Sequence, residues 1–240
     1  MAKPSFRFVE RTGSTNADLA ALISEGNGPP EGHWLVAMRQ TAGRGRQGRE
    51  WFDGHGNFMG STIVALHDDD PLPASLSFVA ALAVHQSVLG HVGNLGKVQL
   101  KWPNDVLLEG GKVAGILLQL VGRHVVIGVG VNLTKAPTIV DRKTAAIADV
   151  APKISPAGFA AHLATQMTRM LALWRSEPFA DFVHAFLAAS IHTLGDPISV
   201  HDSDGSILSG TFAGLDESDG ALRLRLADGS ERVIRAGDIS

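Results

Sequence analysis

Residues 98–131 read VQLKWPNDVLLEGGKVAGILLQLVGRHVVIGVGV. Apolar, β-branched runs centred on Val98–Trp102, Val113–Leu120 and Val125–Val131 predict three strands, and Gly110–Gly111 supplies a turn between the first two. Parallel neighbours need a crossover of roughly a dozen residues or more, so strands joined this tightly are largely antiparallel. The stretch therefore decides an α+β class.

Upstream, Phe6 and Phe8 alternate with polar neighbours as a short strand, and Thr15–Ile23 follows as a helix capped by Ser14 or Thr12. Trp34–Met38 and Asn57–Leu66 read as strands. Between them, Thr41–Gly48 breaks all periodicity and is a loop. Leu76, Val79, Ala80, Ala83, Val84 and Val88 recur at helical spacing and predict one amphipathic helix. Two more helices carry Phe159, Leu163, Met167, Met170 and Trp174, then Phe179, Phe182, Val183, Phe186 and Leu187. Beyond Ser190 the texture changes to short β segments at Ile198–Val200, Thr211–Leu215, Leu222–Leu226 and Glu231–Ile234, the pattern of a small barrel. The expected organisation is one domain over residues 1–190 and a small β domain over 191–240, with the boundary near Ile191–Gly195.

The 240 residues are 45% hydrophobic, which excludes a mainly disordered chain. No window approaches the roughly 18 uninterrupted apolar residues of a membrane span, and the opening MAKPSFRFVERTGS lacks the apolar stretch of a signal peptide. The expected location is the cytoplasm. With no Cys, thiolate nucleophiles and Cys-ligated metals are excluded. A formal net charge of -3 argues against broad nucleic-acid binding, so any anion must be held by local charge.

Local charge is concentrated in Arg39-Gln40-Thr41-Ala42-Gly43-Arg44-Gly45-Arg46-Gln47-Gly48-Arg49-Glu50-Trp51. Its glycines let the backbone turn N–H groups toward an anion, and three arginines add fixed positive charge. An RNA-binding arginine–glycine tract has the same look. In Lys101-Trp102-Pro103-Asn104-Asp105, Pro103 fixes the chain at a strand end and sets Asn104 and Asp105 in a loop facing a pocket. Lys112 follows soon after, with Gly115 clearing space three residues on. Val113 stands where a phosphate-binding P-loop needs Ser or Thr. Gly128-Val129-Gly130-Val131-Asn132 continues as a strand, which disfavours a dinucleotide fingerprint. Such glycines admit a close neighbour, either another element or a flat ligand. Ser14-Thr15-Asn16 reads by itself as a helix cap, and His67-Asp68-Asp69-Asp70 as a solvated acidic turn rather than a metal site.

Taken in order, Ser14-Thr15-Asn16, Gly43–Arg49 with Trp51, Lys101–Asp105, Gly111–Ile116 and Gly128–Asn132 resemble the biotin protein ligases that act on acetyl-CoA carboxylase. The resemblance covers residues from about 10 to 135, and the C-terminal segment is like that family's SH3-like domain. It implies a class II synthetase-like fold, a mixed and largely antiparallel sheet with helices on one side. It also implies a two-step reaction: biotin and ATP, with Mg²⁺, give biotinyl-5′-AMP, and a lysine of a biotin carboxyl carrier protein then accepts the biotinyl group.

Carried over residue by residue, Ser14, Thr15, Asn16, Gln40, Gly43, Arg44, Gly45, Arg46, Lys112 and Gly115 resemble the biotin-binding set. Arg49, Trp51, Lys101, Asn104 and Asn132 resemble the nucleotide-binding set, and Lys112, Arg46 and Asp105 the catalytic groups, with Asp105 either a base or an orienting partner of Lys112. The Gly-rich loop is expected to act as a lid. Only 13 residues precede Ser14, so the DNA-binding domain of repressor members, and with it DNA binding, is not expected. A homodimer is compatible with the fold. The nearest alternatives are a lipoate or octanoate protein ligase and a non-catalytic RNA-binding module.

Overall fold

The computed structural model describes residues 3–140, 142–202 and 206–239. Strands β1 (Ser5–Val9), β2 (His33–Ala37), β3 (Phe58–Ala65), β4 (Val98–Lys101), β5 (Asp105–Leu108), β6 (Gly111–Val121) and β7 (His124–Val131) form one sheet in the order β1-β2-β3-β7-β6-β5-β4. Only β1 and β2 are parallel, joined through helix α1 (Thr15–Ser24); every other pair is antiparallel. Strand β5 is one more than the sequence pattern predicts. Asp105 therefore opens a strand, facing Lys101 on one side and Gly115 on the other, rather than standing in a loop.

Alternation along β7 explains how the sheet carries both a core and a site. Val125, Ile127, Val129 and Val131 point into the main core with Trp34, Val36, Phe58 and Val64. On the opposite face Val126 joins Leu35, Ile63 and, from α1, Leu19 and Ala20. Farther along the same face Gly128 and Gly130 carry no side chain and leave it open.

Helix α2 (Leu76–Val92) is buried on nearly all sides. Its apolar positions therefore extend around the helix instead of forming the single stripe of an amphipathic one. Together with its flanking turns, Pro73–Leu95, it is long and apolar enough to cross a membrane by length and composition alone, but it is mostly buried here as the core helix. Helices α3 (Pro156–Ser176) and α4 (Phe179–Ala188) pack against it, with Trp174 Nε1 donating to Ser75 Oγ at 2.7 Å and Phe78 against Phe179 and Phe186. These three helices cover one face, while α1 lies on the other.

Strands β8 (Pro197–Asp202), β9 (Ile207–Leu215), β10 (Leu222–Arg225), β11 (Glu231–Ile234) and β12 (Gly237–Ile239) form a second antiparallel sheet, the SH3-like unit, ordered β11-β10-β9-β8-β12. Its apolar side chains Ile198, Val200, Phe212, Leu222 and Leu224 belong to the same buried cluster as α2. Trp102 Nε1 donates to Gly220 O at 3.0 Å, and a Cβ at Gly220 would stand 2.3 Å from Phe78. The small unit is thus docked tightly on the end of the large sheet.

Candidate active site

The floor of the site is built by the absence of side chains. Gly115 on β6 pairs with Gly130 on β7, and Gly128 lies two residues along. A Cβ at Gly128 would meet Asn16 Oδ1 at 2.2 Å, and one at Gly130 would meet Trp51 Cε2 at 2.1 Å. The close neighbours these glycines admit are therefore α1 and the Trp51 indole. Trp51 Nε1 is buried and has no partner among the described residues.

Behind this floor is a buried polar pocket. Ser14 occupies the N-cap position of α1, yet its hydroxyl makes no capping bond, leaving it available to the cavity. Gln40 Oε1 accepts from Thr15 N at 2.7 Å and from Thr15 Oγ1 at 3.1 Å. Thr15 Oγ1 also lies 2.6 Å from Ser61 Oγ, which donates to Asn16 Oδ1 at 2.5 Å. Such a chain fixes side chains that buried hydroxyls and amides could not hold unpaired without a cost of about 1–3 kcal/mol each.

At the other end the site is cationic. Lys112 Nζ is 2.6 Å from Asp105 Oδ1 and 6.0 Å from the centre of the Trp51 ring. The β4–β5 turn presents Asn104, whose Nδ2 donates to Ile116 O at 2.6 Å while its Oδ1 accepts from Arg46 Nη1 at 3.1 Å. Burial pulls the Arg46 guanidinium below its ordinary pKa, against the raising effect of Asp238 and Asp105. Burial likewise lowers Lys101, opposed first by Asp105. Arg49 pairs with Asp238 and donates to Gln47 Oε1 at 2.6 Å, while Arg44 is exposed at the rim.

The Gly-rich segment is folded over this end. Ala42 N donates to Gly13 O at 2.8 Å, Trp51 N to Gly43 O at 2.9 Å and Gly45 N to Arg49 O at 2.6 Å. Gln47 and Gly48 carry φ of 55° and 73°, the left-handed turn that lets Arg46 and Arg49 point the same way.

All the residues singled out from the sequence line one cavity of about 980 Å³: Ser14, Thr15, Asn16, Gln40, Gly43, Arg44, Gly45, Arg46, Arg49, Trp51, Lys101, Asn104, Asp105, Lys112, Gly115 and Asn132. The structure adds two lining residues, Ser61 and Asp238, and one supporting residue, Asn57, that the pattern did not reveal. Ser61 closes the polar chain. Asn57 accepts from Thr134 N at 3.0 Å and donates to Lys135 O at 2.7 Å, fixing the chain beyond Asn132. Asp238 reaches the cavity from β12. Ser61 and Asn57 were signalled only as polar residues in or beside an apolar strand; Asp238 had no local signal. The acidic turn also differs from expectation. Asp70 is not solvated but pairs with Arg175 Nε at 3.0 Å, whereas Asp68 is exposed.

The chain is similar to known proteins in sequence and in fold. The model of the biotin/lipoate A/B protein ligase family matches residues 8–132, and that of the biotin protein ligase C terminal domain matches residues 193–240. A biotin–[acetyl-CoA-carboxylase] ligase of Paracoccus denitrificans is 38% identical, over 96% of this chain and 98% of its own. One of Mycobacterium tuberculosis is 35% identical over 96% and 86%. In fold, the chain superposes on the Aquifex aeolicus biotin protein ligase in complex with biotin and ATP with a TM-score of 0.84 at 22% identity, covering 98% of this chain and 97% of that one.

Proposed function

This chain belongs to the biotin/lipoate A/B protein ligase family, and from that premise we infer that it is an ATP-dependent biotin–[acetyl-CoA-carboxylase] ligase. It activates biotin as biotinyl-5′-AMP and passes the biotinyl group to a lysine of the biotin carboxyl carrier protein. The observation that carries the residue-level reading is the position of the Lys112–Asp105 pair, on a glycine floor between a neutral polar pocket and an arginine loop. Residues 1–190 serve as the ligase domain and 191–240 as the SH3-like domain.

In the first step a carboxylate oxygen of biotin attacks the α-phosphorus of ATP and pyrophosphate leaves. Two unit charges about 4 Å apart repel by roughly 4 kcal/mol at an effective dielectric of 20, so bringing these anions together is a large part of the barrier. Ser14, Thr15, Asn16 and Gln40 hold the uncharged ureido end of biotin, with Gly43 and Gly45 giving backbone room in the loop. This aims the carboxylate past Gly115 toward Lys112. Lys112 and Arg46 then lie where negative charge concentrates, with Arg44 adding positive potential at the rim. Asn104, Asn132, Arg49, Lys101 and Trp51 hold the nucleotide.

Among the described residues no group of three His, Asp or Glu side chains is positioned to hold a metal. A Mg²⁺ entering on the phosphates needs only one or two carboxylates, and Asp105, with one oxygen on Lys112, stands at this mouth. The ion would neutralise phosphate charge.

In the second step the neutral ε-amine of the carrier lysine attacks the acyl carbon and AMP leaves, with one proton released. Asp105 orients Lys112 through the 2.6 Å pair, and as a carboxylate beside the cationic end of the site it is the group assigned to take that proton. The Thr41–Gly48 loop acts as a lid that keeps water from the acyl phosphate.

The test is incubation with biotin, ATP, Mg²⁺ and a biotin carboxyl carrier domain, followed by mass measurement of the carrier. The expected result is one biotinyl group on one lysine. No gain, or a preference for lipoate or octanoate in parallel reactions, overturns the reading.

A further inference from the structure

We propose that Asp238, from the last strand of the SH3-like unit, is a positioning residue for ATP, holding Arg46 and Arg49 of the catalytic loop in their working geometry. This rests on the ligase reading above. Two independent features carry it: how fully the guanidinium of Arg46 is fixed, and how firmly the SH3-like unit is docked.

Arg46 Nη1 donates to Asn104 Oδ1 at 3.1 Å and to Asp238 Oδ1 at 3.4 Å, and Nη2 donates to Gly237 O at 3.2 Å. A guanidinium has five N–H donors. Among the described residues, three are therefore engaged with protein, two of them to β12, while Nε and the second Nη2 hydrogen are left for an anion. The other Asp238 oxygen takes Arg49 Nη2. One carboxylate thus spans two arginines three residues apart, with only Gln47 and Gly48 between, which sets the loop's curvature as well as its charge.

A tether of this kind works only if its anchor is rigid. Trp102 Nε1 bonded to Gly220 O, and Phe78 packed against Gly220, fix the SH3-like unit to the sheet and to α2. Trp102 stands two residues before Asn104, so both partners of Arg46 are referenced to the same joint. The arginines are held without being used up, because their remaining donors and net positive charge stay directed at the cavity. Orienting these charges before ATP arrives lowers the ordering cost of binding. The SH3-like unit thereby contributes to the active site from 192 residues away in sequence.

The test compares the parent with Asp238→Asn and Asp238→Glu, measuring ATP–pyrophosphate exchange dependent on biotin. Amide exchange of the Thr41–Gly48 loop is followed with biotin and a non-hydrolysable ATP analogue bound. Asp238→Asn is expected to raise the KM for ATP at least about tenfold while kcat falls less than threefold. Its loop is expected to exchange faster than the parent's, and its unfolding midpoint to stay within a few degrees. Asp238→Glu recovers much of the ATP affinity. In the background of Arg49→Gln, Asp238→Asn is expected to add less than its full effect, since the two share one contact. An ATP KM within twofold of an active parent overturns the proposal, as does a loss seen only in the unfolding midpoint. A parent that makes no biotinyl-AMP at all contradicts the ligase reading instead.

Discussion

The indole of Trp51 lies against the backbone of Gly130, so closely that a Cβ at position 130 would stand 2.1 Å from Cε2 and 2.5 Å from Nε1. A loop side chain and a strand glycine are thereby matched in shape across the floor of the site. The contact also places the ring 6.0 Å from Lys112 Nζ, where its face favours a cation.

Gly130→Ala should overpack this contact and lower stability by about 1–3 kcal/mol. Trp51→Ala removes the obstructing ring, so the double variant should be no less stable than Trp51→Ala alone. Urea unfolding of the four proteins checks this as a double-mutant cycle. Strictly additive losses would mean that the two residues do not share the space.

Arg175 is the strongest polar tie between α3 and the far end of the sheet. It meets Glu31 Oε1 at 2.7 Å and Asp70 Oδ1 at 3.0 Å, and donates to Ala65 O at 2.9 Å. Its carboxylate partners hold it above its ordinary pKa, with Glu31 the larger influence. Arg175→Ala leaves two part-buried carboxylates without their cation. The expected cost is roughly 2 kcal/mol, between an exposed pair and a buried one, or about 4–8 °C in the thermal midpoint. A shift below about 1 °C would show the triad to be energetically idle.

Burial lowers the pKa of His85, with the Val98 carbonyl opposing, and His33 and His192 are lowered in the same direction by the same main cause. Below the ordinary histidine value of 6.5 the unfolded chain takes up protons that the folded chain refuses, so stability falls as pH falls. The thermal midpoint at pH 5.5 should therefore lie below that at pH 7.5. Ordinary carboxylates titrate below this window and do not set its slope. His85→Leu should shrink the difference, whatever it does to the midpoint at pH 7.5. An unchanged pH difference in that variant would remove His85 from the effect.

The strands of residues 98–131 were legible because short links and apolar runs leave little choice of pairing. Strand β5 escaped notice because Asp105–Leu108 is four residues long and merges with the Glu109–Gly110 turn, where a period of two has no room to show. The site motifs were legible wherever chemistry compressed several unusual residues into one loop, as from Gly43 to Trp51. Ser61 and Asn57 were not, since a single buried polar residue becomes meaningful only when its partner on another element is known. Asp238 was wholly invisible for the same reason, its partners Arg46 and Arg49 lying at the opposite end of the chain. The glycines of β7 told of a close neighbour without naming it, and the neighbours are Asn16 and Trp51.

Lys112 carries the central claim, because the account gives it the charge at the reacting carboxylate and phosphate. The most direct measurement is the single-turnover rate of biotinyl-5′-AMP formation by Lys112→Ala, with folding verified by an unchanged unfolding midpoint. The account predicts a loss of at least about 2.7 kcal/mol, on the order of a hundredfold in rate. A rate within threefold of the parent would contradict it.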